Sequence, residues 1–186
     1  MKLPFEFLDN RPIVIALAGS NGAGKSTFYE SFLADSGLRF INADMLASAF
    51  SLSAYEAADF ASSIRSELIA QRESFIFETV LSDPVGEKVA QLGTYATLGY
   101  TVVLIFIRIN SPEESIKRVA MRVSQGGHDV PDEKLLAQFE RTEANLKRAI
   151  ECLPNTVVYD NGDLSHPFQL VELYRNGKQL LSRHRK

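Results

Sequence analysis

A parallel α/β sheet flanked by helices is the fold class this 186-residue sequence predicts, and three observations predict it. Short apolar runs of strand length alternate with amphipathic stretches of helical length. The main runs are apolar throughout instead of alternating, as strands buried on both faces are. The first run, Ile13 to Ala18, ends in a glycine-rich turn that leads into a helical pattern, the opening of a crossover unit.

Taken in order, Ile13–Ala18 predicts a central strand and Lys25 to about Ala34 a helix. Phe40-Ile41-Asn42 predicts a second strand, with helices over about Asp44–Phe50 and Ala54–Arg72. Phe75-Ile76-Phe77 predicts a third strand, ending at Glu78 and Thr79. Pro84 suits the first turn of a helix running to about Leu98, where its missing N–H would be unpaired anyway. Thr101–Ile109 is the longest β-branched run and predicts another central strand. Ser111-Pro112-Glu113-Glu114 opens a helix with a serine cap, a proline at the first position and acids against the positive dipole end. That helix runs to about Gly126-Gly127, and another runs from about Pro131 to Cys152. Asn155–Asp160 predicts a fifth strand. Leu170–Tyr174 and Lys178–Leu181, joined by Asn176-Gly177, predict a C-terminal β-hairpin with a tight primed turn.

The length suits one domain, residues 1–186, with a helical lid region over about 112–150. Hydrophobic residues make up 45% and charged residues 23%, with a net charge of -3 and a pI near 5.7. This balance argues against a broad nucleic-acid surface. The single cysteine, Cys152, cannot form an internal disulfide and is expected to be buried as a small hydrophobe. No segment has the length of apolar run needed for a membrane span or a signal peptide, so a cytoplasmic protein with no membrane partner is expected.

Gly19-Ser20-Asn21-Gly22-Ala23-Gly24-Lys25-Ser26, followed by Thr27, carries the most specific chemistry. Glycines at 19, 22 and 24 let the backbone turn sharply and bring N–H groups to a triphosphate, and the following helix adds its positive end. Lys25 would contact the β- and γ-phosphates, and the Ser26 hydroxyl would ligate Mg²⁺. The fold expected is therefore that of the P-loop NTPases, with ATP and Mg²⁺ as cofactors. Ligands on such sheets sit at the carboxyl ends of strands, which here carry Gly19, Asp44, Glu78 and Arg108.

A guanine-reading Asn-Lys-x-Asp is absent, as is the apolar strand ending in Asp-Glu of an ABC-type ATPase. Small size and isolated acids at strand ends suggest a kinase for a small molecule. Asp44 reads either as the base that takes the acceptor's proton or as a helix cap. Glu78, with Thr79 beside it, reads as a group binding the acceptor hydroxyl, as a water-mediated Mg²⁺ contact, or as a polar residue leaving a buried strand. Arg118, Arg122 and Arg141 flank the Gly126-Gly127-His128 loop on two helices. They read as lid cations that neutralise the γ-phosphate or as solvated surface residues.

Together these motifs resemble the zeta-toxin family of P-loop kinases, in its compact, small form. The resemblance rests on Ala18–Thr27, Ile41-Asn42-Ala43-Asp44 and Phe77-Glu78-Thr79-Val80-Leu81-Ser82. Arg122-Val123, Gly126–Pro131 and Arg141 with Asn145-Leu146 extend it, and it covers about residues 13–160. It implies an ATP-dependent kinase acting on a sugar hydroxyl of UDP-N-acetylglucosamine or a related UDP-sugar. Asp44 would be the base, Glu78 would help hold the sugar nucleotide, and Arg122 and Arg141 would contact the phosphates. It also implies a protein antitoxin as partner. The alternatives are a P-loop kinase of another hydroxylated small molecule and a regulatory ATPase without an acceptor.

Overall fold

The computed structural model describes residues 5–124 and 130–183. The Gly126-Gly127-His128 loop of the sequence reading lies outside the described residues. So does the end of the helix expected to reach Gly126.

Seven strands form one sheet: β1 (Ile13–Ala18), β2 (Arg39–Ile41), β3 (Phe75–Thr79), β4 (Thr101–Arg108), β5 (Asn155–Asp160), β6 (Gln169–Arg175) and β7 (Lys178–Ser182). Their spatial order is β2-β3-β1-β4-β5-β6-β7. The first five are parallel, whereas β6 and β7 are antiparallel. All six residues of β1 are buried, which suits a continuous apolar run flanked by β3 and β4. The chain leaves β1 toward β2 and β3 on one side and later returns to β4 on the other. The crevice at the carboxyl end of β1 is thus the switch point where such sheets bind ligands.

The helices are α1 (Lys25–Phe28), α2 (Ala43–Phe50), α3 (Ala54–Ala70), α4 (Glu87–Thr97), α5 (Pro112–Ser124) and α6 (Asp132–Cys152). The expected Lys25–Ala34 helix is divided: α1 passes into a wider π turn over Tyr29–Leu33 and a tighter turn over Ala34–Ser36. α3, α4 and α6 cover one face of the sheet, burying Ala61, Leu68, Leu92, Tyr95, Leu146 and Ala149 among Phe75, Phe77, Val102 and Leu104. α1 and the N-terminal segment cover the other, where Phe28 and Leu33 meet Ile15, Ile105 and Tyr159. No helix among the described residues is long and apolar enough to cross a membrane.

Two further expectations are corrected. Pro84 does not start a helix; α4 begins at Glu87, after Gly86. Residues 80–83 instead present their carbonyls to side chains of α6, which a helical turn would prevent, and Asp83 Oδ1 accepts from the Glu87 N–H 2.5 Å away. Cys152 is exposed. Thr142, Asn145, Leu146 and Ala149 form the buried stripe of α6, and Cys152, seven residues after Asn145, continues it to the last helical position, where it is exposed. The hairpin forms as expected, with Asn176 and Gly177 both at positive φ.

Tyr159 is 5% exposed and packs its ring 4.9 Å from that of Phe28. Burial pushes its hydroxyl up to about 12. Its contribution to stability is complete below the ordinary value of 10.0 and is lost as pH rises through 12. Denaturant unfolding between pH 10 and 12 should therefore show Tyr159→Phe losing less stability than the wild type, by roughly 2 to 3 kcal/mol.

Candidate functional site

The loop between β1 and α1 is shaped by its glycines. Gly19 has φ +144°, and a Cβ there would lie 2.4 Å from the Ile107 carbonyl oxygen on β4. Only glycine allows the loop to leave the sheet this close to its neighbour. Gly24 has φ +92° and begins α1. The rest of the loop is braced from outside. Ser115 Oγ donates to the Asn21 carbonyl at 2.6 Å, and Asn161 Nδ2 to the Ala23 carbonyl at 2.8 Å. Asn21 Nδ2 donates to Gln138 Oε1 at 2.9 Å. Arg118 donates to the Asn161 carbonyl at 2.6 Å and more weakly to that of Gly22 at 3.4 Å.

Lys25 is 6% exposed, and its ammonium donates to the carbonyls of Gly19 (3.0 Å) and Ser20 (3.1 Å). Glu78 Oε1 lies 3.6 Å from it. Burial lowers the Lys25 pKa, opposed by the charges of Glu78 and Asp44. Glu78 Oε2 accepts from Ser26 Oγ at 3.1 Å and from Asn42 Nδ2 at 2.8 Å. The two halves of the motif thus meet: the lysine and serine of the loop share one carboxylate at the end of β3.

Asn42 was not singled out in sequence. Its Oδ1 accepts from the Met45 N–H and caps α2, while its Nδ2 holds Glu78. The cap is therefore Asn42 and not Asp44. The spacing from Asn42 to Met45 at the start of a helix was the available signal. Asp44, two residues on, lines a cavity of about 560 Å³, together with Asn21, Gly22, Gly24, Lys25, Ser26, Thr27, Glu78, Thr79, Arg118 and Arg122. Thr79 Oγ1 also accepts from the Leu81 N–H at 3.1 Å, which holds Leu81 at φ +60°.

Two expected site residues are placed elsewhere. Arg141, expected at the phosphates, is not among the residues lining the cavity. Its Nε donates to the Ser82 carbonyl at 2.8 Å. Thr142 and Asn145 likewise bind the carbonyls of Val80, Leu81 and Asp83, so this stretch of α6 clamps the segment after β3. A partly buried connection needs such donors because its carbonyls have no strand or helix partner. Arg108 does not face the cavity either, since it pairs with Glu172 of β6 at 2.7 Å.

A parallel sheet with the phosphate loop at its switch point, and carboxylates converging on that loop, defines the P-loop fold. The comparisons narrow the class: the family model described as Zeta toxin matches residues 5–170, and the chain belongs to that family. No curated protein matches it. Among solved structures it resembles AvrRxo1-ORF1 in complex with AvrRxo1-ORF2, with TM-score 0.74 and 17% identity, over 95% of this chain and 62% of that one. This chain thus spans about three fifths of that relative. It also resembles the PezAT toxin-antitoxin system of Streptococcus pneumoniae, with TM-score 0.57 and 19% identity, over 82% and 68% of the two chains. A third likeness is to deoxyadenosine kinase from M. mycoides with bound dATP, with TM-score 0.52 and 21% identity, over 80% and 91%. At these identities the likenesses show the fold.

Asn42→Ala removes both a helix cap and a bond to a charged group, and should lower stability by about 2 to 3 kcal/mol. Asn42→Ser restores a cap but not the bond, and should recover about 1 kcal/mol of it. Urea unfolding of the two variants checks this; equal losses would show that the cap contributes nothing.

Proposed function

We propose that this protein is an ATP-dependent kinase that transfers the γ-phosphate to a sugar hydroxyl of UDP-N-acetylglucosamine or a related UDP-sugar. The observation that carries the reading is a single cavity with the phosphate loop and the Asp44 carboxylate on its walls. A phosphoryl donor and an acceptor hydroxyl can meet there. Family membership and the ATP-bound structure of AvrRxo1-ORF1 with its partner support ATP as donor.

Backbone N–H groups of residues 21–27 and the positive end of α1 hold the phosphates. Lys25 and the lid-side Arg118 and Arg122 line the same cavity and offset charge as it builds on the transferring group. Asp44 orients the acceptor hydroxyl and takes its proton. The acceptor oxygen forms its bond to the γ-phosphorus while the bond to the β-phosphate oxygen breaks, and ADP leaves with that electron pair.

The donor set fits a magnesium ion: Ser26 Oγ and the Glu78 carboxylate are hard oxygens 3.1 Å apart, close to Lys25. When bound, the ion supplies positive charge against the β- and γ-phosphates. Of the readings open for Glu78, this contact favours the metal side over the acceptor. The likeness to a toxin-antitoxin system supports a protein antitoxin as partner.

The test is incubation with ATP–Mg²⁺ and UDP-N-acetylglucosamine, following ADP release and the mass of the sugar nucleotide. One added phosphate is expected. ADP release with no modified acceptor would replace the reading with an ATPase. Lys25→Ala should nearly abolish transfer. Asp44→Asn should keep ATP affinity and reduce turnover by about 10²-fold or more. Glu78→Gln should raise the Mg²⁺ concentration for half-maximal turnover by about tenfold. A change in acceptor KM alone would return Glu78 to the acceptor.

A further inference from the structure

Two cations line the cavity away from the phosphate loop and belong to none of the steps above. Arg65 comes from the middle of α3 and Lys88 from the first turn of α4, with Gln91 one turn further on. The charges around the cavity fall into two groups. Lys25 feels Glu78, Asp44 and Arg122, whereas Lys88 feels Asp83, Arg65 and Glu87. These are two separate electrostatic centres within one cavity.

The second centre lacks the carboxylate partner that several other cations of the protein have. Lys25, Arg108 and Arg118 each pair with a carboxylate, at Glu78, Glu172 and Glu114. Among the described residues neither Arg65 nor Lys88 makes an ion pair. Arg65 lies with its guanidinium carbon 5.0 Å from the Phe77 ring centre and meets the Tyr95 hydroxyl. Its Nε is buried without a hydrogen-bond partner among the described residues. Asp83, the acid whose charge acts most on Lys88, also accepts from the Glu87 N–H. Burial lowers the pKa of both cations. Two like charges held half-buried in one cavity, neither with a paired carboxylate and only Lys88 under the charge of nearby acids, are unfavourable unless an anion joins them.

We propose that Arg65 and Lys88 form a subsite for an anionic group carried by the acceptor, phosphate or carboxylate, and so select charged acceptors over neutral sugars. This rests on the kinase reading above. Arg65 offers a fixed planar donor set on an aromatic platform, and Lys88 adds a mobile point charge. An acceptor anchored there by its anion would extend its hydroxyl toward Asp44, which lines the same cavity.

The experiment compares N-acetylglucosamine, its 1-phosphate, UDP-N-acetylglucosamine and glucuronic acid as acceptors. Turnover is expected only with anionic members, and the phosphate and carboxylate arms identify which anion is read. Lys88→Gln, at a half-buried position, and Arg65→Gln should each raise acceptor KM by about tenfold, with the KM for ATP and kcat little changed. Arg65→Lys should restore part of the loss. A neutral sugar used as efficiently as its phosphate, or an unmoved acceptor KM, overturns the proposal. If no acceptor is phosphorylated, the kinase reading fails by itself. The subsite is then judged by titrating inorganic pyrophosphate into protein saturated with Mg²⁺ and a non-hydrolysable ATP analogue. Binding that weakens about tenfold in Lys88→Gln supports it, and equal or absent binding in the wild type overturns it.

Discussion

A buried lysine charge at the end of the central strand is the constraint on which the site depends. An ammonium held away from water costs several kcal/mol unless it is paired and hydrogen-bonded. Lys25 meets that requirement with two loop carbonyls and the Glu78 carboxylate. Because the carboxylate comes from β3, the demand ties the loop to the neighbouring strand. Because the same carboxylate takes Ser26 and Asn42, it also ties in the start of α1 and the start of α2. A single charge balance therefore fixes the relative positions of four elements.

Around this centre, each connection is held by donors from more distant helices. α5 and the residue after β5 brace the phosphate loop through Ser115, Arg118 and Asn161. α6 clamps the segment after β3 through Arg141, Thr142 and Asn145. Both are partly buried loops whose carbonyls would otherwise lack partners. The result is a cavity whose floor is preorganised by the sheet and whose walls are set by helices packed on it, the arrangement that phosphoryl transfer exploits.

Within that cavity the two cationic centres differ in kind. Lys25 is compensated by carboxylates, as a charge kept in place before any ligand arrives. Arg65 and Lys88 are compensated mainly by an aromatic ring, a phenol and an acid engaged elsewhere. The first pattern suits a permanent part of the catalytic apparatus, and the second suits a place that a ligand's own charge completes.

The sequence by itself determined the sheet, the phosphate loop and the hairpin. Each depends on local rules: continuous apolar runs for buried strands, glycines where the backbone must take positive φ, and Asn-Gly where the turn must be primed. It also brought Lys25, Ser26, Asp44 and Glu78 to strand ends on one edge, since parallel topology does this automatically. Only the tertiary structure decided what those residues touch. That Asn42 and not Asp44 caps α2, that Arg141 clamps Ser82, and that Arg108 pairs with Glu172 depend on how helices and strands far apart in sequence dock. Arg65 and Lys88 escaped notice for the same reason. On a helical pattern a cation looks like any solvated surface residue, and its burial beside a second cation arises only when α3 and α4 pack on the sheet.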